Sequence, residues 1–207
     1  MVTMNANESA IRRGGVVGCG LMGAGIVEVC ARKGCEVVVR EVTQELLQGG
    51  LARFRKSLDR GLEKGKLTEA EHAEALARVS GTTDMGAFGD CDLVVEAAVE
   101  NLELKRGLFA ELDRVARPDA ILASNTSSIS ITKLAAATTR PGQVVGLHFF
   151  NPVPVMALLE IVRGLQTSDE TFGRARAFGE TLGKTIVVAA KDNPGFIVNL
   201  LLFPYGL

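Results

Sequence analysis

A turn of glycines, Gly18-Cys19-Gly20-Leu21-Met22-Gly23, joins a short apolar strand to the first turn of a helix. The strand is contained in Gly14-Gly15-Val16-Val17, and the helix continues through the amphipathic run from Ile26 to Arg32. The first glycine allows a tight turn, the second lets the backbone approach a pyrophosphate, and the third lets the helix pack closely on the strand. A second strand, Glu36 to Val39, follows this helix. The order of these elements predicts a dinucleotide-binding site.

The end of the second strand indicates which dinucleotide is bound. It runs into Arg40-Glu41, and an acid at this distance after the glycines is placed to accept hydrogen bonds from an adenosine ribose. The Glu41 carboxylate would repel a 2′-phosphate, which favours NAD. Arg40 could instead pair with that phosphate, so NADP stays as the less favoured alternative.

The composition allows a substantial core and argues against several classes of function. Of the 207 residues, 47% are apolar and 23% are charged, with a formal net charge of −1. No block of lysine and arginine indicates a nucleic-acid partner, and no apolar run is long enough to cross a bilayer. The polar start, Met1 to Ala10, is not typical of a signal peptide, so we expect a cytoplasmic protein.

The four cysteines, Cys19, Cys30, Cys35 and Cys91, lack CxxC spacing and fall in or beside predicted core elements. We therefore expect reduced, buried thiols and no metal site.

Strand and helix signals alternate along the chain, which predicts an α/β fold: a Rossmann-type, doubly wound, mostly parallel sheet with helices on both faces. Thr43 to Lys64 carries apolar residues at helical spacing, and Thr68-Glu69-Ala70-Glu71 opens another helix with a capping box. These consecutive helices predict a helical arm at about residues 43–78, inserted between strands. We assign residues 1–192 to this nucleotide-binding domain.

The last segment predicts the beginning of a second domain. Asn193-Pro194-Gly195 is typical of a helix start, with Asn193 as N-cap and proline at the first helical position. The apolar run from Phe196 to Phe203 follows, and a helix this apolar normally packs against another element. We therefore expect residues 193–207 to begin a truncated all-helical domain.

Two segments with polar side chains fit either a ligand site or an ordinary structural role. Ser124-Asn125-Thr126-Ser127-Ser128 follows a predicted strand, where it suits a ligand crevice or a polar turn that caps the next helix. His148 follows the predicted strand Val144 to Leu147, among aromatic residues, as a core histidine or a catalytic one. The other histidine, His72, lies on an acid-rich helix face that we expect to be exposed and inert.

A carboxylate inside an apolar strand supports the catalytic interpretation of His148. Glu160 lies within the predicted strand Leu158 to Val162, and burial of a carboxylate is costly without a partner. A histidine beyond the preceding loop would serve, because the pair would orient the imidazole and stabilise its protonated form.

Taken together, four segments resemble the 3-hydroxyacyl-CoA dehydrogenases, and among them the short bacterial 3-hydroxybutyryl-CoA dehydrogenases. The segments are Gly18-Cys19-Gly20-Leu21-Met22-Gly23, Ser124-Asn125-Thr126-Ser127-Ser128, His148-Phe149-Phe150-Asn151-Pro152 and Pro194-Gly195-Phe196. The resemblance covers the chain from Arg13 onward, with the motifs in order and at matching separations. Butanoate metabolism and fatty-acid β-oxidation are both compatible with it.

The resemblance implies a role for each matching residue. His148 would be the general base that takes the proton of the 3-hydroxyl, and Glu160 the carboxylate that holds it; Ser127 and Asn199 would hydrogen-bond around the reacting oxygen and the nicotinamide. The implied cofactor contacts are Gly18, Gly20, Leu21, Met22, Gly23, Glu41, Glu100, Lys105, Ser127 and Asn151. Ser57 and Lys64 of the arm, with Ser127, would contact the acyl-CoA substrate.

The resemblance also implies that a following helical domain completes the substrate cleft and forms the dimer interface. We therefore expect weak or absent turnover in this chain and leave its oligomeric state open. One alternative is a dehydrogenase of free 3-hydroxy acids, but those enzymes use a lysine from an interdomain helix and need no helical arm. A second alternative is a dinucleotide-binding module without catalysis.

Overall fold

The computed structural model describes residues 11–202, whose strands form one eight-stranded sheet. The strands are β1 (Arg13–Val17), β2 (Glu36–Arg40), β3 (Val79–Thr82), β4 (Leu93–Glu96), β5 (Ile121–Ser124), β6 (Val144–Phe149), β7 (Leu158–Val162) and β8 (Thr185–Ala189). Their order is β3-β2-β1-β4-β5-β6-β7-β8, and each neighbouring pair is parallel except β6 and β7. The predicted mostly parallel sheet is confirmed.

Helices cover both faces of the sheet, as expected for a doubly wound fold. They are α1 (Leu21–Arg32), α2 (Gln44–Glu63), α3 (Glu69–Ala77), α4 (Leu102–Val115), α5 (Ile131–Ala135), α6 (Asp169–Thr181) and α7 (Val198–Leu202). Ile26 of α1, Phe54 of α2 and Phe178 of α6 belong to one buried cluster. Phe109 of α4 and Leu134 of α5 belong to another cluster, which includes side chains from the opposite face of the strands. Each sheet face therefore has its own apolar core.

The topology creates a crevice beside β1. From β1 the chain proceeds outward through β2 and β3, and then returns to β4 on the other side of β1. Ligands of open α/β sheets bind at the carboxyl ends of the strands where the strand order reverses in this way. The glycine turn after β1 and the loop after β4 meet at this point.

Both helices of the predicted arm are present and pack on α1. The Thr43 side chain caps α2 by accepting from the Leu46 N–H, and Thr68 and Glu71 form the expected capping box of α3. A strand that we did not predict, β3, follows α3. Its sequence, Val-Ser-Gly-Thr, lacks the apolar run of a buried strand, and none of its four residues is fully buried.

The helix predicted to begin after Asn193 begins later, so this part of the prediction is wrong. Asn193 accepts the Phe196 N–H through its backbone carbonyl and forms a turn. Gly195 and Phe196 then adopt φ angles of 81° and 51°, which are left-handed and interrupt a helix. Helix α7 starts at Val198. Phe203, the end of the predicted apolar run, lies outside the described residues.

All four cysteines are buried and unpaired, which confirms the expectation of free thiols. Within residues 11–202, no group of three histidine, cysteine, aspartate or glutamate side chains is arranged to hold a metal ion. No helix in the same range combines the length and apolar character that a membrane span requires.

Candidate active site

In the glycine turn after β1, protein atoms crowd the first and third glycines, whereas the middle glycine faces open space. Gly18 has φ +92°, and a Cβ there would lie 2.9 Å from the Ala97 carbonyl oxygen. A Cβ at Gly23 would lie 1.9 Å from the Gly18 oxygen, so α1 could not pack this closely with any other residue. At Gly20 a Cβ would meet no heavy atom within 4 Å. The middle glycine thus faces space in which a phosphate can approach the backbone and the start of α1.

Glu41 holds the glycine turn from the end of β2. One of its oxygens, Oε1, accepts the Cys19 N–H at 2.6 Å, and Oε2 accepts the Val42 N–H at 3.2 Å. Glu41 also borders a cleft of about 360 Å³, together with the exposed apolar side chains of Val42 and Leu46. Arg40 lines the same cleft, and its Nε donates to the Thr83 carbonyl at 3.2 Å.

A second cleft of about 350 Å³ adjoins the first. Both are lined by Ala97 and Ala98, directly after β4. Six of the predicted site residues line the second cleft: Met22, Glu100, Lys105, Ser127, His148 and Asn151. Because Ala97 and Ala98 line both, the two clefts lie side by side at the end of β4, and we call them together the trough.

His148 and Glu160 form a buried pair across two antiparallel strands. Strand β6 continues two residues beyond its predicted end, so His148 lies within it, directly opposite Glu160 of β7. His148 Nδ1 lies 2.9 Å from Glu160 Oε2, and the two side chains are 8% and 0% exposed. Because cross-strand neighbours point to the same face, the sheet itself fixes this contact.

Glu160 also holds the start of α7. Its Oε1 accepts the Ile197 N–H at 2.8 Å and the Val198 N–H at 3.2 Å. Burial alone would raise the pKa of Glu160, but the hydrogen bond with His148 and these two backbone donors keep the pKa below its usual value. This carboxylate explains why α7 begins at Val198 rather than after Asn193: it serves as the helix cap.

Aromatic rings shield the imidazole. The Phe150 ring centroid lies 4.4 Å from that of His148, and Phe196 approaches edge-on at 5.9 Å. Asn125 Oδ1 accepts the Phe149 N–H at 2.9 Å, which ties the loop after β5 to β6. Asn199 Nδ2 lies 3.5 Å from the Ser127 carbonyl oxygen, so these two predicted residues are neighbours.

Glu100 and Lys105 share a polar cluster with a residue that sequence analysis missed, Glu96 at the end of β4. Lys105 Nζ lies 2.6 Å from Glu96 Oε1 and 3.3 Å from Glu100 Oε2. Glu100 accepts hydrogen bonds from the hydroxyls of Thr126 and Ser128. Burial raises the pKa of Glu100, but the Thr126 hydroxyl and the Lys105 ammonium outweigh it and hold the pKa below its usual range.

A third cleft, of about 370 Å³, lies between α1, α2 and the loop after β6; we call it the basic groove. Ser57 lines it, as do three basic residues of α2 that were not predicted, Arg53, Lys56 and Arg60. Asn151 borders both this groove and the second cleft. Lys64 follows the last residue of α2, is exposed, and does not line the groove.

His72 is not an exposed residue, contrary to our expectation. Its Nε2 lies 2.7 Å from Asp59 Oδ1, and its side chain is partly buried between α3 and α2. It borders none of the three clefts.

A doubly wound sheet, a glycine turn held by an acid, and an adjoining cleft with a paired histidine together define a dinucleotide-binding domain of the dehydrogenase type. The sequence matches the family model of the 3-hydroxyacyl-CoA dehydrogenase NAD binding domain over residues 14–193. The chain belongs to this family, and NAD is its cofactor.

Proteins similar in sequence or structure match nearly the whole chain. The 3-hydroxybutyryl-CoA dehydrogenase of Mycobacterium tuberculosis is 52% identical over 97% of this chain and 70% of its own length. A probable 3-hydroxybutyryl-CoA dehydrogenase of Deinococcus radiodurans is 51% identical over 92% of this chain and 68% of its own. The crystal structure of (S)-3-hydroxybutyryl-CoA dehydrogenase PaaH1 from Ralstonia eutropha superposes with a TM-score of 0.92 at 48% identity, covering 95% of this chain and 69% of that one.

Proposed function

We propose that this chain carries the cofactor site and the catalytic pair of an NAD-dependent 3-hydroxyacyl-CoA dehydrogenase that interconverts 3-hydroxybutyryl-CoA and acetoacetyl-CoA. The observation that carries the proposal is the 2.9 Å contact between His148 and Glu160 in a cleft that adjoins the glycine turn. The relatives named 3-hydroxybutyryl-CoA dehydrogenase support the substrate.

His148 serves as the general base. With Nδ1 donating to the Glu160 carboxylate, the Nε2 lone pair is the one that accepts the proton of the substrate 3-hydroxyl. The C3–H bond breaks at the same time, and bound NAD supplies the hydride acceptor. The substrate loses two electrons and becomes the 3-ketone, while Glu160 balances the positive charge of the imidazolium. In the reducing direction His148 returns the proton to the 3-keto oxygen.

Three polar residues at the cleft position the reacting groups. Ser127 and Asn151 border the same cleft as His148, and Asn199 is next to Ser127. Their hydroxyl and amide groups suit hydrogen bonding to the substrate oxygen and the nicotinamide carboxamide. Correct placement of donor and acceptor atoms supplies up to roughly 7–11 kcal/mol of barrier reduction in favourable cases.

The remaining cofactor contacts follow the trough from one end to the other. Gly20 and Leu21 would face the pyrophosphate at the start of α1, and Gly18 and Gly23 let the turn and the helix approach each other closely enough to form this site. Glu41 would face the adenosine ribose. Met22, Glu100 and Lys105 line the nicotinamide end. Arg40 is engaged by the Thr83 carbonyl, which supports NAD over NADP because the guanidinium is turned to a protein partner.

The basic groove receives the coenzyme A part of the substrate. Three cations, Arg53, Lys56 and Arg60, line it beside Ser57 and outnumber its one carboxylate, Glu28, which Arg32 pairs at 3.3 Å. This excess of positive charge suits the phosphates of an acyl-CoA. Asn151 borders both the groove and the second cleft, which we call the nicotinamide cleft because the nicotinamide would lie there, so a ligand can extend from one to the other. Lys64, at the end of α2, would contact the part of the ligand that projects beyond the groove.

For the domains, we propose that the NAD-binding unit extends to residue 192 with its arm at about 43–78, and that residues from 193 onward belong to a helical unit that also mediates dimerisation. The exposed side chains of Leu200 and Leu201 on α7 support a further packing partner. Four unpaired, buried cysteines support a reducing compartment such as the cytoplasm.

The test is NADH oxidation by this chain with acetoacetyl-CoA and with free acetoacetate, beside an NADH binding titration. Oxidation that requires the coenzyme A thioester, at the low rate expected above, is the predicted result. Oxidation with free acetoacetate would favour a dehydrogenase of free hydroxy acids. Binding of NADH without oxidation of either substrate would leave a cofactor-binding module and contradict the proposed activity of this chain.

A further inference from the structure

A buried carboxylate, Glu96, holds the lysine that borders the nicotinamide cleft. Glu96 is 0% exposed and Lys105 is 1% exposed, and their charged atoms lie 2.6 Å apart. Lys105 Nζ also lies 3.3 Å from Glu100, whose side chain is 41% exposed. Lys105 therefore lies between two carboxylates, one inside the protein and one at the cleft.

The protein fixes Glu96 on every side. Its Oε1 accepts the Ala98 N–H at 2.7 Å, and its Oε2 accepts the Ser124 hydroxyl at 2.6 Å. Ser124 ends β5 and Glu96 ends β4, so the carboxylate bridges the two strands at the edge where the trough runs. A group held in this way cannot turn to meet a ligand and acts through Lys105.

With the three groups ionised, the cluster Glu96–Lys105–Glu100 has two negative charges and one positive charge. Glu100 and Lys105 both line the cleft that contains His148. The oxidised nicotinamide ring is a cation and the reduced ring is neutral. A net negative charge that lines the same partly desolvated cleft attracts the oxidised, cationic ring and has little effect on the reduced, neutral ring.

We propose that Glu96 is a positioning residue that holds Lys105 and sets the net negative charge of this cluster, and that the cluster favours bound NAD⁺ over bound NADH. This inference rests on the proposed location of the nicotinamide in the His148 cleft. It deepens the proposed function, because the cluster then tunes the balance between oxidised and reduced cofactor on the protein.

The experiment compares Kd values for NAD⁺ and NADH in the full 207-residue chain and in Glu96→Gln. The amide still accepts hydrogen bonds from Lys105 and Ala98, and the Ser124 hydroxyl can rotate to accept from its NH₂ group. The variant thus removes one charge with little change in shape. We expect the ratio Kd(NAD⁺)/Kd(NADH) to rise about tenfold. Glu103→Gln, an exposed residue of the same helix α4 with a side chain 76% exposed, is the matched control and should leave the ratio unchanged.

An equal loss of affinity for both cofactors, or an unchanged ratio, would overturn the inference, because a merely structural role weakens both alike. Circular dichroism establishes whether Glu96→Gln folds. Should it not fold, Glu100→Gln removes a charge at the exposed end of the cluster; a rise in the ratio supports the inference and an unchanged ratio overturns it. Failure of the unaltered chain to bind either cofactor would overturn the proposed function as well, whereas binding with an unchanged ratio in the variants refutes only the role of the cluster.

Discussion

At the level of single residues, the site depends on carboxylates that each hold several donors. Glu160 receives the His148 imidazole on one oxygen and two backbone N–H groups on the other. These contacts join β6, β7 and the start of α7 in one place. The ionised form of Glu160 is therefore part of both the catalytic pair and the local fold.

The lowered pKa of Glu160 makes stability depend on pH in a defined direction. A carboxyl group whose pKa is lower in the folded state contributes stability above its unfolded pKa, about 4.3, and loses it as pH falls through the folded pKa. Glu160→Gln should cost roughly 1–3 kcal/mol at pH 7 and progressively less below about pH 4. Thermal unfolding of both proteins between pH 3 and pH 7 measures this difference.

Glu36→Gln is the control, since Glu36 is an exposed carboxylate at the start of β2. It should have little effect at any pH. A difference between unaltered protein and Glu160→Gln that stays constant from pH 7 to pH 3 would contradict the account.

A carboxylate in an apolar strand is the sequence signal that identified Glu160, and the same signal could have identified Glu96. Glu160 was found because it interrupts an apolar strand, and Glu96 ends the equally apolar run Leu93-Val94-Val95. The partner of Glu96, Lys105, lies on the following helix, where a lysine is most often solvated. Its burial depends on how α4 packs against β4, which residue spacing does not determine.

At the level of elements, α2 connects the two binding regions. Gly50 faces the glycine turn so closely that a Cβ would lie 2.4 Å from the Cys19 Cβ and Sγ atoms. One turn further along, Arg53 donates to the Cys19 carbonyl at 3.1 Å and also lines the basic groove. The position of α2 therefore affects the cofactor turn directly.

Gly50→Ala should push α2 away from the glycine turn. We expect a loss of about 1–3 kcal/mol in stability from overpacking and an increase in the Kd for NADH. Gly49→Ala is the matched control, because a Cβ at Gly49 meets nothing within 4 Å and alanine favours a helix by about 1 kcal/mol. Chemical denaturation and NADH titration measure both effects. Equal NADH affinity in the two variants would contradict the claim that the position of α2 affects the cofactor turn.

Two elements show where local sequence was insufficient. Strand β3 has a glycine and two small polar residues, and its position is set by pairing with β2 rather than by burial. The start of α7 is set by the Glu160 carboxylate, which accepts the Ile197 N–H although it lies 37 residues earlier in the chain. The other strands and the two arm helices could be predicted because their apolar periodicity and caps are local.

At the level of the whole molecule, the trough for the cofactor and the basic groove meet at Asn151. The two ligands would then approach each other from opposite sides of the loop after β6. Residues of both the trough and the basic groove could be predicted from the sequence. The cations Arg53, Lys56 and Arg60 could not, because three basic residues on an amphipathic helix usually belong to a solvated face.

Mutation can distinguish the role of the basic groove from that of the cofactor trough. Lys56→Ala removes a cation of the basic groove and should raise the KM for acetoacetyl-CoA about tenfold, with a weaker dependence on salt and an unchanged Kd for NADH. Lys66→Ala, an exposed residue of the turn after α2, should change neither constant. Initial rates at two ionic strengths measure this, and an increase in the Kd for NADH in Lys56→Ala would contradict the assignment of the groove.

The most direct measurement is the turnover of acetoacetyl-CoA and NADH by His148→Ala, with His72→Ala as the control that removes the other histidine. We expect kcat to fall on the order of 10²- to 10⁴-fold in His148→Ala while the Kd for NADH stays the same, and to stay normal in His72→Ala. Equal turnover in His148→Ala and the unaltered chain would contradict the account.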